Sequence, residues 1–237
     1  MSLFLRAVRA EALKAAALPT LRLTGVLSVL ASALMLATLH SALSEATGGG
    51  PSSQALTGYG FETVAWTWTS LVQLGFLAAG LLVSTAEHTS ALGRTTLLVT
   101  PARGTVWTAR LAVLAAVATA AALLLVPTAV ASCPEALTGE SLRAAARTLA
   151  WLVAAALMAA GAGAALRQVL GAASALLLLV TVAPAVADLL GDGATWLPGV
   201  AARGWVRDGS AAEGVIVLVW TAGCLAAGAV RLIRSDA

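Results

Sequence analysis

Residues 148–166 read TLAWLVAAALMAAGAGAAL, a stretch without a single charged side chain. As a helix it rises about 28 Å at ~1.5 Å per residue, close to the ~30 Å of hydrocarbon in a bilayer. Lipid offers backbone amides no water, so such a stretch satisfies them internally by being helical. Its alanines and glycines let neighbouring helices approach closely, which is how helices associate in lipid. Five further stretches of similar length and polarity lie at 23–43, 63–83, 106–126, 169–189 and 214–231. The expected fold is all-α: a polytopic membrane protein of six transmembrane helices, forming one transmembrane domain over 1–237.

Composition agrees. The chain is 59% hydrophobic and 11% charged, whereas soluble domains carry about 25% charge. The loops between the stretches are too short to hold a soluble domain. A net charge of +3 raises nucleic acid as a partner, but the basic residues are spread over several loops and form no patch that would track phosphates. Topology explains them better. One set of loops carries Arg6, Arg9, Lys14, Arg22, Arg94, Arg103, Arg110, Arg167, Arg231 and Arg234 against Glu11, Glu87 and Asp236. The other carries Arg143, Arg147, Arg203 and Arg207 against eight acidic residues. The basic side is cytoplasmic by the positive-inside rule, and an even number of spans places both termini there. The first apolar run has spanning length and no convincing cleavage site, so it reads as an uncleaved span rather than a signal peptide.

The chain lacks the groups that several chemistries need. A phosphate-binding loop requires a lysine after a glycine-rich turn, and the only lysine, Lys14, stands in AEALKAAA. His40, His88, Cys133 and Cys224 show no metal-ligand spacing. A Cys133–Cys224 bridge would require the ends of the third and sixth spans to meet. No Asp or Glu lies at the centre of a span, which argues against intramembrane proteolysis and a carboxylate proton relay. Gln73 is the notable polar group at depth, either an interhelical hydrogen bond or the lining of a pathway. Trp66, Trp68, Trp107 and Trp151 fall near span ends, where indoles anchor in the headgroup layer. The expectation is a membrane body that is not an enzyme, binds no cofactor or metal, and has no energy source of its own.

Two segments face the cytoplasm. Residues 1–20 predict an amphipathic helix ended by Pro19, with Arg6, Arg9 and Lys14 on one side and Phe4, Val8, Ala12 and Ala15 opposite. That pattern suits a helix lying in the interface among anionic headgroups. The second segment, AEHTSALGRTTLLVTPARGTVWTAR at 86–110, starts polar, with Glu87 and Arg94 on one helical face. It turns apolar at Leu97, Leu98 and Val99 and breaks at Pro101 and Gly104. A short helix followed by a turn is the economical reading.

These two segments carry a resemblance. RAEALK at 9–14, and EHTSALGRTTL followed by PARG at 87–104, resemble the permease subunits of type-two ATP-binding-cassette exporters, particularly the alanine-rich actinobacterial members. The similarity covers nearly the whole chain; His88 stands where many relatives have tyrosine. The resemblance implies a bacterial plasma-membrane permease that exports a hydrophobic or amphipathic molecule. ATP and magnesium would sit on a separate cytoplasmic ATPase subunit, and a second permease chain would complete a homo- or heterodimer within membrane lipid. It further implies that 86–104 is a coupling helix seated in the ATPase. There Glu87 and Arg94 would make polar contacts, Leu97 and Leu98 would pack, and Pro101 and Gly104 would form the turn, with Arg103 part of the same coupling loop. In such relatives the outer segment 188–213 often folds as short re-entrant helices; a plain loop with interfacial tryptophans is the other reading. The alternative function is a non-transporting scaffold or sensor that binds another membrane protein.

Overall fold

The computed structural model describes residues 3–47, 60–85, 103–133 and 138–234. They are almost wholly helical: α1 (Leu3–Ala17), α2 (Pro19–Thr47), α3 (Phe61–Thr85), α4 (Arg103–Ala131), α5 (Gly139–Leu166) and α10 (Ala211–Arg234), with shorter elements between α5 and α10. Of these, α2, α3, α4, α5 and α10 are long and apolar enough to cross a membrane. The chain is thus a multi-pass helical membrane protein by the length and composition of its helices.

Local chemistry places the ends. Pro19 opens α2, where its missing N–H costs nothing. The Thr138 side chain caps α5 by accepting from Ser141 N at 3.0 Å. At the other end Arg167 takes a left-handed conformation (φ 53°), and its N–H closes on Gly163 O at 3.0 Å.

Helix α5 is the centre. Trp151, Leu152, Ala155, Ala156 and Met158 are buried, and α3, α4 and α10 pack around it. Glycines bring backbones together. A Cβ on Gly80 of α3 would strike the Ala156 carbonyl, and one on Gly161 would strike the backbone of Cys224 on α10. Helix α2 touches the bundle lightly, through Ser28 against Gly75 and Ser32 against Trp68. Its Leu23, Val26, Leu27, Leu30 and Leu34 are exposed, as a lipid-facing surface requires.

The contacts also give direction. Along α3 and α5, Glu62 meets Ser141, Gln73 meets Trp151, Gly80 meets Ala156 and Ser84 meets Gly163. Positions rise together, so the two helices are parallel. The same holds for α5 and α10, where Gly161 meets Cys224 and Ala164 meets Gly228, while Arg147 meets Gly209 just ahead of α10. The chain leaves α5 at one end of the bundle and starts α10 at the other. We call the end holding the start of α4 basal, and the opposite end, with the starts of α3, α5 and α10, distal.

The chain between α5 and α10 therefore climbs back, and it does so as an interrupted helix where the sequence predicts a continuous one. The α6 helix (Val169–Leu176) passes into a π-helical stretch (Leu177–Val182) and a short α7 (Ala183–Ala185). The path breaks at Val186 before α8 (Ala187–Leu190). Pro184 removes an amide donor there, and a π segment absorbs such a defect by shifting the hydrogen-bond register. A 3-10 turn (Asp192–Trp196) and α9 (Pro198–Asp208) complete the distal region. Segment 188–213 is thus short helices rather than a loop, and α9 folds back against α3, α5 and the π-helical stretch. Gly199 makes this possible, because a Cβ there would strike the Val180 carbonyl.

Two expectations are corrected. Trp68 and Trp151 are fully enclosed and Trp107 nearly so; they pack inside the bundle rather than in the headgroup layer, because their small neighbours leave space for an indole. Gly104 lies in the first turn of α4 rather than at a break. The rest of the predicted break, including Pro101, is outside the described residues.

An alanine scan tests the packing. Gly161→Ala forces apart the α5 and α10 backbones and should cost about 1–3 kcal/mol. Gly223→Ala, whose Cβ meets open space, should be neutral or stabilising by up to about 1 kcal/mol. Unfolding of the purified chain in detergent reads both.

Candidate functional site

At the basal end, α1 is fastened to α4 by charge. Arg110 Nε donates to Glu11 Oε2 at 3.5 Å, and Lys14 Nζ donates to Glu11 Oε1 at 2.8 Å. Glu11 is 8% exposed and Arg110 4%. Around them α1 turns the half-buried Ala7, Val8, Ala15 and Leu18 inward. Arg22 Nε donates to Ala16 O at 3.0 Å and braces the corner into α2.

This alters the expected faces of α1. Arg6 and Arg9 are exposed, as an interfacial helix requires. Lys14 instead points along the protein-facing side to Glu11. Val8 and Ala15 face the bundle rather than acyl chains, because a buried Glu11 fixes the rotation of the helix. Phe4, Leu5 and Leu13 are the exposed apolar residues.

Helix α3 ends and α4 begins at the same end. Glu87, Arg94, Leu97, Leu98 and Pro101 lie outside the described residues; Arg103 and Gly104 open α4. Two turns further on in that helix stands Arg110. The α1 ion pair therefore grips the first turns of the helix that leaves segment 86–102.

In the bundle's middle, Trp151 Nε1 donates to Gln73 Oε1 at 2.8 Å, and Gln73 Nε2 donates to Ser70 O at 3.3 Å. Trp68 Nε1 donates to Ser32 Oγ at 3.1 Å. Gln73 is fully buried, so of its two readings the structure supports the interhelical hydrogen bond, worth ~1 kcal/mol in lipid. Beside this layer an apolar cavity of about 240 Å³ lies between α2, α3 and α4, lined by Gly25, Val29, Phe76, Leu114 and Ala118 among others.

At the distal end, Ser141 Oγ donates to Glu62 and accepts from Phe61 N at 2.9 Å. A cavity of about 290 Å³ there is lined by Leu36, His40, Val64 and Cys133. Burial, and then the nearby Glu62 carboxylate, push the Cys133 thiol above its ordinary pKa, which keeps it a poor nucleophile. Cys133 and Cys224 are both free thiols.

No protein-family model, characterised protein or solved structure matches the chain.

The Glu11–Arg110 pair escaped the sequence reading, which counted both residues only as loop charges. Two signals pointed to it: one acid inside a basic helix, and an arginine within the apolar run that starts α4. Glu11→Ala should destabilise the chain by about 1–3 kcal/mol, because it takes one acceptor away from a buried guanidinium. The double variant Glu11→Leu/Arg110→Met should cost clearly less. A double-mutant cycle by chemical denaturation in detergent checks the difference.

Proposed function

We propose that the chain is the membrane-spanning permease subunit of an ATP-driven exporter of the ATP-binding-cassette type. The observation that carries this reading is the buried Glu11–Arg110 pair. It joins an amphipathic helix to the helix that emerges from segment 86–102, so a push on either one moves α4. A permease driven by a separate ATPase needs that kind of lever at its cytoplasmic end.

The count of crossings favours it too. Because α5 and α10 are parallel, chain 169–190 makes a sixth passage and brings the two termini to one side. The charge asymmetry makes that side the cytoplasm of a bacterial plasma membrane. Segment 86–102 then faces an ATPase subunit, with Glu87 and Arg94 as polar contacts and Leu97 and Leu98 as packing. Nucleotide and magnesium belong to that partner, and a second permease chain completes the pathway. The apolar cavity between α2, α3 and α4 suits a hydrophobic or amphipathic cargo.

Co-expression tests the reading. The full chain should co-purify with a cytoplasmic P-loop ATPase from its own cells, and Glu87→Lys should reduce capture by at least about tenfold while leaving membrane insertion intact. Undiminished capture by that variant removes Glu87 from the contact. If the wild-type chain captures no such ATPase, the permease reading fails and the scaffold reading takes its place.

A further inference from the structure

Arg147 stands on α5 two turns inside its distal end, without a partner among the described residues. Its Nε is buried and has no acceptor, and no ion pair or hydrogen bond engages the rest of the guanidinium among the described residues. The group is nonetheless held in place. Gly209 ends α9 in the left-handed conformation (φ 74°), and the space its absent Cβ would fill is taken by Arg147 Nη1. A glycine at that corner thus both turns the chain and seats a cation.

The neighbouring charges are otherwise engaged. Arg143, one turn nearer the helix start, pairs with Glu140. Asp208 lies 3.8 Å from Arg207, and Glu213 shares a side-chain hydrogen bond with Ser210 while its carboxylate lies against Gly204. Arg203 donates to Pro184 O at 3.0 Å. A half-buried guanidinium loses hydration and gains nothing unless an anion arrives, and its planar fork suits a phosphate oxygen pair.

Depth supplies the source of that anion. From Leu166 at the basal turn back to position 148, α5 rises about 28 Å, the thickness of the hydrocarbon layer. Arg147 is the next residue, and it meets the α9–α10 corner beside the exposed Arg207 and Asp208, charged side chains that belong with headgroups rather than hydrocarbon. The geometry points to a binding site for the phosphate of an anionic phospholipid, in the distal leaflet, at the mouth of the seam between α5 and the α9–α10 corner. The headgroup phosphate accepts from Arg147 while the acyl chains run down the exposed apolar side of α10, where Val215, Leu218 and Val219 stand. This inference rests on the multi-pass fold and not on the ATPase partner.

The test uses the full chain in nanodiscs of phosphatidylcholine doped with phosphatidylglycerol, released into the gas phase for native mass spectrometry. The wild type should retain phosphatidylglycerol in preference to phosphatidylcholine. Arg147→Gln should lower that adduct about tenfold, as loss of a charge-assisted hydrogen bond does. Arg147→Lys should keep part of it, and Arg143→Gln should leave it unchanged. Equal retention by Arg147→Gln overturns the site. Displacement of the adduct by millimolar inorganic phosphate overturns the lipid as its source. The wild-type melting temperature gives a readout independent of how the variants fold: it should rise as phosphatidylglycerol replaces phosphatidylcholine, and no rise overturns the proposal.

Discussion

The structure depends on how closely α5 lets its neighbours approach. In lipid, apolar burial does not drive helices together, so association relies on van der Waals contact and a few polar links. Helix α5 meets this need with alanine and glycine. Ala156 receives Gly80 of α3 on one side, and Gly161 receives the Cys224 backbone of α10 on another. Where these small residues leave room, large ones fill it: Trp68 and Trp151 are fully buried. Their indole N–H groups are satisfied by Ser32 and Gln73, because a donor stranded in this setting costs more than the ring gains by packing.

Parallel α3, α5 and α10 dictate the rest of the path. Chain 169–190 has to recross the bundle, and it does so as a broken helix. The π-helical stretch and Pro184 turn it toward the core, and Gly199 lets α9 dock on it. The basal end is organised differently, by ionic contact: Glu11 accepts from Lys14 and Arg110 together. Helix α1 and the start of a spanning helix are thereby made one piece, next to the segment that the permease reading assigns to an ATPase.

Much of this was legible in the sequence because it follows from hydropathy and length. Five spans appear where they are expected, although α5 begins nine residues before its expected start and α4 runs five beyond its expected end, and Pro19 separates α1 from α2 as its chemistry demands. The fifth apolar stretch reads as continuous because a π-helical stretch keeps the same apolar composition as an α-helix; only its hydrogen-bond register differs. The tryptophans misled for a related reason. Proximity to the end of an apolar run is a matter of position along the chain, whereas burial depends on which face meets small residues. Glu11 and Arg110 each stand out locally, an acid in a basic helix and an arginine in an apolar run, but they lie far apart in sequence, so hydropathy and spacing do not join them. The coupling-loop residues Glu87 to Pro101 rest on resemblance alone.

The direction of the helices, with 169–190 passing between parallel α5 and α10, decides on which side each terminus lies. Reporter fusions at the two termini test it most directly, using one protein that fluoresces only in the cytoplasm and one enzyme active only outside it. Both termini should report the cytoplasm. Termini reporting opposite sides would mean an odd number of crossings and would contradict it.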